Sequence, residues 1–275
     1  VSRDWSSDVC SSDLSLDLSV FLLYNCVGHF CALQHFYKGT TMKKFLLALV
    51  FVSGLAQAQI AGNFGLASDY RFRGVSQTQN ALAVQGGLDY AHESGLYVGN
   101  WNSSVSSQLY TDGAGIESDV YAGFKKEFNG ITVDVGSLNY IYPRAKNGTT
   151  TDFNTHEVYG GIGFGPFTAK LSQSLGNYFG TADSKGSRYY ELNLNQPLVE
   201  KLSVVAHVGR TVVANNKTLD YSDVNVGLSY DLDGYVVSGR VYKNTNKGSA
   251  FEAANTVNGQ RLYRDAVVFS VAKTF

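Results

Sequence analysis

Charged side chains in this sequence fall at alternate positions of short apolar segments. Asp69, Arg71 and Arg73 share one parity, and Asp89, Asp119, Lys125, Asp134, Glu157, Lys170, Glu191 and Arg240 occupy the polar parity of later segments. On a β-strand that spacing puts each group on the face opposite its apolar neighbours. Rings of such charges set the ion preference of a pore, and the mixture of signs here predicts weak selectivity. The same groups pairing across a narrow, closed interior fit the pattern equally, and the sequence leaves a conducting pore and a plugged barrel both open.

General acid–base chemistry has one candidate. After residue 58 the histidines are His92, His156 and His207; only His207 falls mid-segment on the polar parity. There is no G-x-S-x-G elbow, no His-x-x-x-His pair, and no phosphate or dinucleotide loop. No cofactor or metal is called for. A hydrolase built around His207 is the least favoured of three readings, behind a channel and a non-conducting structural or adhesive barrel.

The elements that would position these groups are strands. Of 275 residues 29 are glycine and only 3 proline, and charged residues are 16%, against about 25% in ordinary soluble domains. The net charge of −1 argues against a nucleic-acid partner. Twelve period-2 segments are predicted, roughly at 60–73, 81–92, 96–105, 116–128, 131–142, 155–164, 167–178, 187–196, 201–213, 221–231, 235–243 and 262–275. Short connections such as Asn129-Gly130 and Leu232-Asp233-Gly234 alternate with long polar ones such as 106–115, 143–154 and 244–260; Pro143, Pro166 and Pro197 all fall in connections. Turns at one end and long loops at the other describe an all-β, antiparallel up-and-down transmembrane barrel of about twelve strands, in the bacterial outer membrane.

The apolar parity, as in Val224, Val226 and Leu228, then faces lipid and the polar parity faces the lumen. Tyr97/Trp101 and Leu138/Tyr140 blur this phase, and Arg210 falls on the apolar face, near a rim. Aromatics gather at the strand ends. Tyr70, Phe72, Tyr140, Tyr142, Tyr178, Tyr189, Tyr190 and Tyr221 stand near the long loops; Tyr97, Phe128, Phe164, Phe167, Tyr235 and Phe275 stand near the turns. Both sets are expected to form interfacial girdles. Inward glycines such as Gly87, Gly123, Gly161 and Gly227 are expected to leave room inside.

Met42-Lys43-Lys44, the apolar run from Phe45 to Leu55 and the Ala56-Gln57-Ala58 site read as a signal peptide cleaved before Gln59. Residues 1–41 then form a spurious or untranslated upstream segment, 42–58 the signal peptide and 59–275 the barrel. Cys10, Cys26 and Cys31 all lie upstream of residue 42, so the barrel holds no thiol chemistry. At the other end Val267, Phe269, Val271 and Phe275 share one face, an assembly signal for the outer-membrane barrel machinery.

The run Ala67-Ser68-Asp69-Tyr70-Arg71-Phe72-Arg73-Gly74-Val75-Ser76-Gln77, with Gly86-Gly87-Leu88-Asp89-Tyr90 and the closing Val271-Ala272-Lys273-Thr274-Phe275, resembles the TorF-type porins of proteobacteria over residues 42–275. The resemblance implies a Gram-negative outer-membrane barrel of porin function, with outer-membrane lipid, lipopolysaccharide, the assembly machinery and small hydrophilic solutes or ions as partners. It assigns no substrate.

Overall fold

The computed structural model describes residues 59–110, 113–147 and 151–275. Residues 1–41, the predicted signal peptide and its Ala56 and Ala58 lie outside the described residues; Gln59 opens the first strand.

The wall is a closed antiparallel barrel of twelve strands. They are β1 (Gln59–Ala67), β4 (Ala83–Ala91), β5 (Leu96–Ser104), β6 (Ile116–Phe128), β7 (Ile131–Ile141), β10 (Thr155–Phe164), β11 (Phe167–Ser174), β12 (Arg188–Val199), β13 (Leu202–Val212), β14 (Tyr221–Leu232), β15 (Tyr235–Thr245) and β18 (Ala266–Thr274). Each pairs with its neighbour in the chain, and β1 closes the ring on β18 from Asn63↔Thr274 to Ala67↔Ser270. Phe275 extends the seam through two backbone bonds to Gly62, of 2.8 and 2.9 Å. Closure leaves the barrel wall without a free edge strand.

Short hairpins close one end. Asn129-Gly130 and Asp233-Gly234 both have φ > 0 at both positions, 52° with 81° and 52° with 85°, the geometry that matches strand twist in two-residue turns. Pro197 departs from the expected connection. It lies inside β12, where the register against β13 shifts between Pro197 and Val199, so its missing N–H falls at a break in the ladder.

Small elements decorate the other end. They are the hairpins β2 (Arg71–Phe72) with β3 (Val75–Ser76), β8 (Lys146–Asn147) with β9 (Thr151–Asp152), and β16 (Thr256–Val257) with β17 (Gln260–Arg261), and the helix α1 (Ser249–Ala254). Among the described residues no helix is long and apolar enough to cross a membrane.

The exterior follows the predicted alternation. Leu88, Val120, Ile162, Leu192, Val226, Val241 and Phe269 are all exposed on the outer face, an arrangement that water would penalise by about 25 cal/mol per Å² of apolar surface. The blurred segments resolve plainly: Tyr97, Trp101, Leu138 and Tyr140 pack inward. Their outward partners include Asn100, Asn102 and Ser118, which hydrogen-bond one another on the outer face.

Candidate functional site

Inward-facing residues change character along the barrel axis. Towards the short turns they are small or polar and partly accessible to water, as at Asn63, Gly161, Asn195, Ser203, Ser229 and Thr274. Towards the long loops they are buried, as at Ser103, Glu117, Glu157, Ser174, Thr211, Asp223 and Asn244. A wall side chain inside a barrel is buried only if something stands in the lumen.

What stands there is the connection between β1 and β4. The first strand ends at Ala67, not at residue 73, and residues 68–80 fold inward as the β2–β3 hairpin. Asp69, Arg71 and Arg73, expected on the wall, are therefore carried by this plug. Its own bonds stiffen it: Asp69 accepts from Arg71 Nε at 2.7 Å, Ser76 Oγ at 2.6 Å and Thr78 Oγ1 at 3.1 Å. Arg73 at +47° and Gly74 at +80° make the tight turn at its tip. A Cβ on Gly74 would strike Asn244 on β15 and Asp223 on β14.

Arg73 reaches across the lumen. Its guanidinium forms a two-pronged pair with Glu157 on β10, at 2.7 and 3.0 Å, and donates to the Tyr178 hydroxyl at 3.0 Å. The cation also lies 4.2 Å from the Tyr189 ring centroid and 4.7 Å from that of Phe72, a further attraction. Tyr70 donates to Glu117 on β6 at 3.1 Å and meets Trp101 edge-on at 5.4 Å. Burial, followed by the Glu117 charge, pushes the Tyr70 hydroxyl well above its ordinary value, so it remains a donor. Arg71 points the opposite way, to the backbone oxygens of Gly74 and Arg264 and to Asn80 Oδ1.

The remaining space at this end is filled by aromatic rings. Phe72, Tyr140, Tyr142, Phe153 and Phe179 contact one another with centroids 5.1–6.2 Å apart. The long loop after β15 lies over the plug: Phe251 of α1 packs with Val75, Tyr221, Leu262 and Tyr263, and Ser76 N–H donates to Leu262 at 3.0 Å. The girdle expected at the loop end is thus corrected. Tyr70, Phe72, Tyr140, Tyr142, Tyr178, Tyr189 and Tyr221 are buried within the mouth, and of that set Tyr190 is the one exposed on the outer face. At the turn end Phe128, Phe164, Phe167, Tyr235 and Phe275 do face outward, while Tyr97 turns in.

Below the plug most wall charges have a local partner. Asp89 accepts from Tyr121 at 2.6 Å and Asp134 from Tyr97 at 2.6 Å; Tyr97 and Tyr159 share a hydrogen bond. Lys170 pairs with Glu191 at 2.8 Å. His207 contacts Asn193 Oδ1 through Nδ1 at 2.5 Å, and Tyr189 OH and Asp223 Oδ1 through Nε2 at 2.8 and 3.1 Å. Arg240 is half-buried and lies across Gly227. Lys125 is exposed near the turns. Asp119 is buried on the inner face, two residues after Glu117.

Sequence reasoning missed the role of the inward tyrosines. Tyr97, Tyr121, Tyr159 and Tyr189 reach over Gly123, Gly99, Gly136 and Gly209, where any Cβ would collide with the phenol end of the ring. Those glycines accommodate aromatic rings, so the expectation that inward glycines leave the bore empty fails for Gly123. The cross-strand pairs Tyr97↔Gly123 and Tyr121↔Gly99 carried that signal. Glu117, which holds the plug, and Asp223, which holds His207, share the parity of the predicted charges.

Val267, Phe269 and Phe275 are exposed on the outer face of β18, where alternation also places Val271. A family model described as "Bacterial protein of unknown function (Gcw_chp)" matches residues 53–275. The chain belongs to the Gcw_chp family. No curated protein matches it. Among solved structures, this Gcw_chp chain is similar to the KdgM porin in complex with disordered oligogalacturonate, at 10% identity and TM-score 0.46, over 79% of this chain and 98% of that one. It is similar to the NanC porin at 8% identity and TM-score 0.46, over 79% and 99%. The outer membrane phospholipase A from Escherichia coli follows at 14% identity and TM-score 0.40, over 78% and 88%. A bacterial Gcw_chp chain that closes twelve antiparallel strands under an apolar exterior is a transmembrane β-barrel of the outer membrane.

Proposed function

We propose that this protein is an outer-membrane channel for small hydrophilic solutes or ions, closed at its outer mouth by residues 68–80. One observation carries the reading: the inner wall is wet towards the turns and buried towards the loops, and the boundary is a tethered hairpin. A purely structural barrel needs no water-lined half. Long loops face outside and turns face the periplasm in this class of barrel, which sets the plug at the extracellular mouth. Charges of both signs along the bore, with Lys170 and Glu191 paired, favour weak ion selectivity. The channel lining comprises Asp89, Lys125, Asp134, Lys170, Glu191, His207 and Arg240; Asp69, Arg71 and Arg73 belong to the gate, and Asp119 and Glu157 to the wall near it.

Residues 42–58 act in this reading as the export signal and 59–275 as the barrel, with 1–41 upstream of the start. The Val267, Phe269, Val271 and Phe275 face presents the last strand to the barrel assembly machinery. The resemblance of Ala67–Gln77, with Gly86–Tyr90 and Val271–Phe275, to the TorF-type porins agrees with a transport role. His207 meets a phenol, an amide and a carboxylate, which suits a wall residue better than a hydrolase base.

The test is single-channel recording in planar bilayers. The full-length barrel is expected to be mostly closed, and a variant with residues 69–79 replaced by a short Gly-Ser linker to conduct steadily, at least tenfold more. The packing of the mouth by Phe72, Tyr142 and Phe179 favours a second reading, a non-conducting barrel. Silence of the trimmed variant in any salt would establish that one.

A further inference from the structure

The outer wall carries a feature that a uniform lipid-facing surface does not need. A groove of about 560 Å³, almost wholly apolar, crosses β10 to β14. Its course follows from the strand register. Gly160, Leu171, Tyr190, Arg210 and Ser222 are successive cross-strand partners in one row. Ser222 is the second residue of β14, at the loop end, whereas Gly160 is the sixth of ten in β10. The row therefore descends from the outer rim to the middle of the wall. Gly160 supplies the floor: a Cβ there would meet only Val135, at 3.9 Å.

The upper end is cationic. Arg210 is part-exposed and weakly engaged, donating to Ser222 Oγ at 3.3 Å and to Asp220 Oδ2 at 3.4 Å. Arg188, exposed two residues up the adjacent strand, donates through Nε to Gln173 at 3.0 Å, and among the described residues its two terminal nitrogens meet no acceptor. Two guanidinium groups above a hydrocarbon track match an acyl chain carrying a phosphorylated headgroup.

We infer that this groove is a binding site for lipopolysaccharide, with a lipid A phosphate at Arg188 and Arg210 and one acyl chain laid over Gly160. The leaflet decides the source: the cations stand at the loop end, which the outer-membrane reading places in the lipopolysaccharide layer, so the inference rests on that reading.

The test uses the full chain expressed in a Gram-negative host, extracted from the outer-membrane fraction and delipidated in detergent. Purified rough lipopolysaccharide and phosphatidylglycerol are titrated separately. The wild type is expected to bind lipopolysaccharide at least tenfold more tightly than phosphatidylglycerol. Arg188→Ala with Arg210→Ala should weaken lipopolysaccharide binding at least tenfold, and Gly160→Leu, which fills the track with a side chain lipid tolerates, should do likewise. Heat-modifiable gel mobility verifies that each variant is a folded barrel. Equal affinity for the two lipids, or binding unchanged by both variants, overturns the site. Absence of the chain from the outer-membrane fraction overturns the placement, and the site with it.

Discussion

Two ion pairs of the same length stand at opposite ends of this barrel. Arg73–Glu157 in the mouth and Lys201–Asp233 at the turns both close to 2.7 Å. In the first, 4% and 2% of the side-chain surface is exposed; in the second, 43% and 83%. Removing one partner of a buried pair strands a charge away from water, whereas an exposed partner is simply hydrated. The aromatic rings repeat the contrast, facing lipid at the turn end and filling the lumen at the loop end. The difference teaches that the mouth is organised as a protein interior, and the turn end as the rim of a solvated tube.

The sharpest way to break this contrast is Arg73→Ala. It leaves Glu157 buried without its cation and should cost about 3–5 kcal/mol, read as a lower denaturant midpoint for the barrel in lipid vesicles. Trp101, the only tryptophan in residues 59–275 and in edge contact with Tyr70, should red-shift in emission as the plug leaves. Arg73→Met with Glu157→Gln should recover most of that loss, because neither charge is then stranded. An unchanged midpoint in the single variant would show that the mouth is wet.

Next in size is the exterior. Val226→Arg, mid-wall on β14, should cost about 2–4 kcal/mol in the same titration, and a neutral result would mean that this face meets water. The tyrosine-covered glycines come third. Gly136→Ala drives a methyl into the Tyr159 ring and the Ala122 carbonyl, for about 1–3 kcal/mol; Gly165→Ala meets no such neighbour but strains a left-handed residue, φ 53°, and should cost about 1 kcal/mol. Lys201→Ala should leave the midpoint where it was. A drop comparable to that of Arg73→Ala would erase the distinction between the two ends.

The wall was legible because its signal is repeated. Alternation over twelve segments, with Asn-Gly and Asp-Gly between some of them, places every strand but the first within a few residues. The plug was not legible as a plug. Asp69, Tyr70, Arg71, Phe72 and Arg73 continue the alternation of β1 without a break, so period alone extends the strand. What ends it is tertiary: the backbone turns inward because Glu157, Glu117 and Tyr189 wait across the lumen, on strands far away in sequence. The loop-end aromatics misled for a related reason. Strand-end position fits a ring that faces lipid and one that faces a plug, and only the parity of Tyr140 or Tyr189 separates them. The pairing of Arg73 with Glu157 spans 84 residues, beyond any local pattern.

The ring is fastened by pairing its first wall strand to its last, and the plug hangs directly from that first strand. Once the seam is made, the hairpin has no lateral way in. The thirteen residues 68–80 can then reach their seat only along the axis, from the loop-end mouth, so whatever covers that mouth also locks the hairpin in place.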